Sequence, residues 1–225
     1  MKRRMILLAL TLTASAQPAA ALAAAPNPLM TLPGAILLSD PLSTVGPAWK
    51  AAKGRWAAQD GVLRGEYLAA ENHPATFRHE VALRDGVIQF DVRLDTAKAI
   101  TLSLNDAKGH VARLVLDARG FQARKDDHDH AGPDKAEAFN AVKLPLATDA
   151  WHTVTVELLG TRMLASVDGQ KDSVSFGQAD LIGTQKTNVG LTVSGGAASF
   201  RNLGVWAATP NAAWVDPTPV IRVKK

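Results

Sequence analysis

The segment Lys125-Asp126-Asp127-His128-Asp129-His130-Ala131-Gly132-Pro133-Asp134-Lys135 carries four acids, two histidines and two lysines in eleven residues. Such density is costly in a core and superfluous in an ordinary loop. If the preceding strand continues, His128 and His130 share one face and Asp127 and Asp129 the other. Two neutral imidazoles at that spacing suit a divalent metal ion, a carboxylate from elsewhere completing the shell. Alternatively, an Asp orients a His that acts as a base. The competing reading is a solvated, acid-rich loop running into Gly132-Pro133. His128, His130, Asp127 and Asp129 are the candidate catalytic set. His128 and His130 are the candidate metal ligands, and Lys125 is a candidate substrate contact.

A second constellation is Asn105, Asp106, His110 and Arg113. It flanks a hairpin just before the charged segment, so both groups are expected at one end of a sheet. Asn105, His110 and Arg113 are the further candidate substrate contacts; a plain polar hairpin tip is the alternative. A third group, Glu71-Asn72-His73-Pro74 with His79 and Glu80, reads most simply as a loop. No Gly-x-Ser-x-Gly elbow and no phosphate-binding glycine loop occurs. There are no cysteines, which excludes disulfides, Cys-ligated zinc and a thiol nucleophile.

The elements that must position these residues are strands. Ile88, Phe90, Val92 and Leu94 alternate with Gln89, Asp91, Arg93 and Asp95, the pattern of a strand with one buried face. Residues 100–105 repeat it, with Thr101, Ser103 and Asn105 on the polar side. Further strands are expected at 110–117, 121–125, 151–159, 163–168, 188–193 and 199–206. Asp60-Gly61, Asp85-Gly86 and Asp168-Gly169 read as tight turns, and Gly195-Gly196 as another. Ten to twelve short strands at this spacing predict a sandwich or barrel. Helical pattern is scarce; residues 134–142 are the best candidate, for a turn or two. Trp56, Trp151 and Trp206 fall on expected strands and read as packing residues.

At the N-terminus, Lys2, Arg3 and Arg4 precede a short apolar run and small residues, the form of a secretory signal over residues 1–23. That implies a periplasmic or secreted protein. Residues 24–35 read as a leader, 36–206 as one domain, and 207–225 as an extended tail that Trp214 pins to the body. The basic cluster at the start is part of a balance of 25 basic and 21 acidic residues, so the rest of the chain is almost neutral. Such a balance gives no footprint for nucleic acid. No later segment has the length of a membrane span.

Several motifs in order are similar to one known family. Trp56-Ala57-Ala58-Gln59-Asp60-Gly61-Val62-Leu63 resembles the opening of the 3-keto-disaccharide hydrolase-type domain, of the concanavalin A-like lectin/glucanase superfamily. Residues 85–93 resemble its apolar–acidic strand. Trp151-His152-Thr153-Val154-Thr155-Val156 with Val167-Asp168-Gly169 resembles its hairpin, and 190–193 with 199–203 its closing strands. The resemblance implies an all-β jelly-roll β-sandwich that binds or processes a saccharide or glycan, and points to hydrolase or lyase action on 3-keto-glycosides. A non-catalytic glycan-binding module and a structural envelope protein remain alternatives. The chain departs from the family at 99–105, where members carry Asn-Ser-Gly-Ile followed by Arg. The Glu-x-Asp-x-x-Glu strand of laminarinases is also absent.

Overall fold

The structure is a computed structural model that describes residues 25–128, 131, 132 and 135–217. Among these residues there are fifteen strands and two short 3-10 turns. In chain order the strands are β1 (Thr31–Asp40), β2 (Trp49–Lys53), β3 (Arg55–Gln59), β4 (Val62–Glu66) and β5 (Ala75–Leu83). Then follow β6 (Gly86–Arg93), β7 (Ala99–Asn105), β8 (His110–Asp117), β9 (Gly120–Lys125) and β10 (Glu137–Lys143). The last five are β11 (His152–Leu159), β12 (Arg162–Val167), β13 (Val174–Gln178), β14 (Lys186–Ser194) and β15 (Ala197–Pro210).

The strands form two antiparallel sheets. The first runs β13-β12-β11-β6-β15-β4-β3, and the second β10-β9-β8-β7-β14-β5-β2. One edge of β15 is shared: Ala197–Phe200 pair with β4, and Leu203–Pro210 pair with β1. The sheets therefore draw in residues on both sides of the 36–206 span. Between them lies the core that the alternation predicts. Ile88, Phe90, Val92 and Leu94 face Ile100, Leu102, Leu104, Leu114 and Leu116, all buried. Each such side chain contributes on the order of 2 kcal/mol.

Turn chemistry follows the sequence in part. Asp60 and Gly61 both take positive φ (52° and 77°) in the two-residue hairpin between β3 and β4. Asp85-Gly86 does not. Gly86 instead packs tightly, since a Cβ there would lie 2.4 Å from the Trp206 carbonyl oxygen. Residues 137–143 are a strand where a helical turn was expected. Phe139 is buried with its ring against Gly177, and Asn140 ties β10 to β13 of the other sheet through the Phe176 N–H (2.8 Å) and the Val174 carbonyl (2.8 Å). These long-range bonds override local helix propensity.

Residues 29–31 and 211–216 cover part of the outer face of the first sheet. Met30, Leu164 and Phe176 form a second small cluster, with Leu29 and Trp214 packed on it. Trp214 meets the Phe176 ring at 6.2 Å, and Arg162 pairs with Asp216 at 2.9 Å. Below this cluster Glu157 accepts bonds from the backbone N–H groups of Leu29, Met30 and Thr31.

Lys186 is the one fully buried cation among the described residues. Its Nζ donates to the carbonyl oxygens of Arg84 (2.9 Å) and Ile182. Burial lowers its pKa from 10.5 to about 8, Asp85 pulling it up and Arg84 pushing it down. The unfolded chain thus keeps this proton to higher pH than the folded one. The penalty is full below about 8 and is relieved as pH climbs from there to 10.5, by roughly 3 kcal/mol. Lys186→Met is expected to flatten that rise relative to the parent chain in denaturant midpoints taken across this window; an unchanged slope would contradict the assignment.

Candidate functional site

The outer face of the second sheet presents polar side chains in cross-strand rows. One row reads Lys50, Arg78, Gly190, Ser103, Arg113, Arg124 across β2, β5, β14, β7, β8 and β9. The next reads Thr76, Thr192, Thr101, Val115 and Gln122. Residues two apart on each strand point the same way, so the apolar alternation that fills the core puts hydroxyls and guanidinium groups outside. The short Thr, Ser and Gly side chains make a floor, and the long arginines make walls.

A groove of about 390 Å³ results. His73, Thr76, Arg78, Thr101, Ser103, His110, Arg113, Arg124, Thr192 and Ser194 are among its lining residues. Among the described residues no carboxylate and no Phe, Tyr or Trp ring lines it. Gly190 lies in the floor, where a Cβ would meet the Ser103 Oγ at 2.5 Å and the Arg78 Cγ at 3.4 Å. Arg113 Nε lies 2.5 Å from the Oδ2 of Asp126, itself buried. Arg78 and Arg124 form no ion pair with a described residue, and the buried Arg124 Nε has no hydrogen-bond partner among them.

The candidate residues divide. His110 and Arg113 line the groove. Asn105 is buried at its end, with Nδ2 donating to Asn188 Oδ1 (2.7 Å) and Oδ1 2.5 Å from His110 Nδ1. His128 lies at the same end of the sheet, where its carbonyl accepts the His110 N–H at 3.1 Å. Its Nε2 sits 2.8 Å from Asp106 Oδ2. Burial pushes the Asp106 carboxyl up, but His128 and the N–H groups of Gly109 and Lys108 outweigh it and hold it below its ordinary value. Asp127 N–H caps Asp126 at 2.9 Å. Lys125 turns away from the groove: it is buried, and its Nζ donates to the Lys135 carbonyl at 2.7 Å. Asp129 and His130 lie outside the described residues. Among the described residues, no three His, Asp or Glu side chains converge on a metal position.

Other groove residues went unread in the sequence. Arg78 on β5, Arg124 on β9, and Thr192 with Ser194 on β14 come from strands distant in sequence, and only topology puts them on one face. The third group splits: His73 lines the groove, His79 packs edge-on to Trp49 at 5.0 Å, and Glu80 pairs with Lys50 at 2.5 Å.

A larger depression, about 590 Å³, lies on the first sheet around Arg64, Arg93, Trp151 and Arg201. Trp151 is outside any strand here, its ring between the Arg93 and Arg201 guanidiniums at 5.1 and 4.2 Å. The charges of this depression are internally matched. Asp95 binds Arg64 (2.8 Å) and Arg93 (2.6 Å), and Asp91 binds Arg201 (3.1 Å). Its arginines are matched by carboxylates, whereas Arg78 and Arg124 of the second-sheet groove pair with no described carboxylate, so the second-sheet groove is the better candidate.

No protein-family model and no curated protein matches the chain. Solved structures do. The carbohydrate-binding module CBM66 from Bacillus subtilis aligns with TM-score 0.58 and 16% identity, over 71% of this chain and 96% of that one. A Bacillus licheniformis β-glucanase aligns with TM-score 0.56 and 12% identity, over 77% and 98%. A galectin-like protein of unknown function from Bacillus subtilis aligns with TM-score 0.59 and 16% identity, over 81% and 100%. At these identities the likeness establishes the fold: an all-β, concanavalin A-like jelly-roll sandwich.

Proposed function

We propose that this chain is a saccharide-binding domain that works outside the cytoplasm through the groove on β5, β14, β7, β8 and β9. The observation that carries this reading is the groove itself, a polar surface across the middle of the second sheet with hydroxyl and guanidinium groups directed into it. The similarity to a carbohydrate-binding module and a β-glucanase supports a saccharide as its ligand. Among the described residues the lining holds no carboxylate, which favours binding over direct hydrolysis, a reaction that needs two acids flanking the scissile bond. The signal-like residues 1–23 support a periplasmic or secreted location.

One observation favours a second reading, processing of a 3-keto-glycoside. His110 lies in the groove beside Arg113. A ketone at C3 acidifies the C2–H, so His110 as base would remove that proton while Arg113 stabilises the enolate; the enolate then collapses to an enone, breaking the C1–O bond, and the imidazolium returns the proton to the departing glycosidic oxygen. Release of product from a 3-keto-glycoside, lost in His110→Ala, would favour this reading over binding alone.

Electrophoresis of the native protein through gels containing neutral or acidic polysaccharides tests the primary reading. Retardation by at least one polymer is expected. Unchanged mobility in all of them would sink it.

A further inference from the structure

Resting on the saccharide-binding reading, we infer that the groove takes an anionic saccharide, one bearing carboxylate or sulfate groups, gripped by Arg78 and Arg124 on either side of the Gly190–Ser103 floor. The register sets the geometry. Arg78 and Arg113 lie three strand steps apart in one row, with only Gly190 and Ser103 between them. At about 4.8 Å per step that is a gap of roughly 14 Å at the backbone, wide enough for a sugar ring lying flat. Arg124 follows Arg113 on the next strand and thickens the far wall.

Charge then selects the occupant. Arg113 is partly neutralised by Asp126, and Lys50, at the edge of the row, is paired with Glu80. Arg78 and Arg124 have no such partner among the described residues, and the Nε of Arg124 is buried without an acceptor. A half-buried guanidinium without a counter-charge is costly, and an incoming anion relieves that cost. Guanidinium groups also match planar carboxylate and sulfate oxygens with paired bonds, a geometry that lysine lacks. Among the described residues no acid lines the groove to repel such a ligand, and no Phe, Tyr or Trp ring is present to grip the C–H face of a neutral sugar.

The test compares polygalacturonate, a sulfated galactan and a neutral β-glucan as ligands of the full chain. The proteins are the parent chain, Arg78→Gln, Arg124→Gln and Lys50→Gln, each first shown to melt normally. Arg78 is exposed and forms no ion pair with a described residue, so its replacement leaves the fold intact even if Arg124→Gln does not. The inference expects an acidic polymer to bind, with affinity falling steeply between about 20 and 200 mM salt. Arg78→Gln and Arg124→Gln are each expected to lose about tenfold in affinity, and Lys50→Gln less than about twofold. Binding confined to polygalacturonate or to the sulfated polymer also supports the inference, and tells carboxylate from sulfate. Equal losses in Lys50→Gln and Arg78→Gln would reduce the effect to unspecific attraction and overturn it. Preference for the neutral glucan, unaffected by either arginine change, would overturn it while leaving the saccharide reading in place. Failure of all three polymers to bind would remove both.

Discussion

Gly190→Leu is expected to abolish saccharide retention while the sandwich stays folded. Gly190 sits in β14 between Arg78 on β5 and Ser103 on β7, at the middle of the polar row. Its φ lies outside the left-handed region, so a side chain meets no backbone strain. The closest atom to a new Cβ is the Ser103 Oγ at 2.5 Å, the tip of a hydroxyl that rotates away and whose own bond to the Gly190 carbonyl is long at 3.4 Å. The next, Arg78 Cγ at 3.4 Å, belongs to a flexible stem. The branched leucine then fills the floor that a sugar ring would occupy. Affinity is expected to fall about 100-fold, close to 3 kcal/mol, with the melting temperature within a few degrees of the parent. Adding Ser103→Ala makes room for the new side chain and separates occlusion from strain. Isothermal titration beside thermal melts reads both effects. Undiminished binding by the folded variant would place the ligand elsewhere.

Glu157→Ala is expected to cost the fold about 3 kcal/mol. The Glu157 carboxylate is fully buried and gathers four donors at 2.8 Å: the N–H groups of Leu29, Met30 and Thr31 and the Thr31 hydroxyl. These bonds hold the segment that carries Met30 onto Leu164 and Phe176. Alanine strands three backbone N–H groups at about 1 kcal/mol or more each. A total near 3 kcal/mol translates to a fall of roughly 6–12 °C in melting temperature for a chain of this size. Glu157→Gln keeps one acceptor oxygen and is expected to lose less. Since the groove lies on the other sheet, saccharide affinity should hold at temperatures where the variant is folded. Melting of Glu157→Ala at the parent temperature would show that the 29–31 segment contributes little to the fold.

How far the sequence could be read depended on how local each signal was. The strands β6 and β7 were legible because alternation ran through them, and their apolar faces meet in the core. The strand β10 was not: Glu137, Ala138, Ala141 and Lys143 are ordinary helix formers, and the partners that make it a strand, β9 and Asn140's contacts on β13, are distant in sequence. The start of β1 was hidden by Pro33 and Gly34, which read as leader although Pro33 pairs with Ala208 on β15 and Gly34 lies in the irregularity that follows it.

The site was legible in the same local way. His110 and Arg113 stood out because they flank a hairpin near the charged segment. Thr101 and Ser103 were seen on a polar face, but nothing in β7 alone says what lies beside it. The insertion of β14 between β5 and β7 brings Arg78, Gly190 and Thr192 to that face, and no single stretch of sequence records it. Conversely, the density of charge at 125–135 drew attention to the end of the sheet. There Lys125 is spent on the Lys135 carbonyl and His128 on Asp106.

The central claim is that the second sheet binds a saccharide in its polar groove. It is tested most directly by titrating isotope-labelled protein with an oligosaccharide of whichever polymer retards it, following each amide and arginine Nε–H by NMR. The account predicts shifts clustered on Thr101, Ser103, Gly190 and Thr192 and on the side chains of Arg78, Arg113 and Arg124. Shifts centred instead on Trp151, Arg93 and Arg201 of the first sheet, or scattered without a cluster, would contradict it.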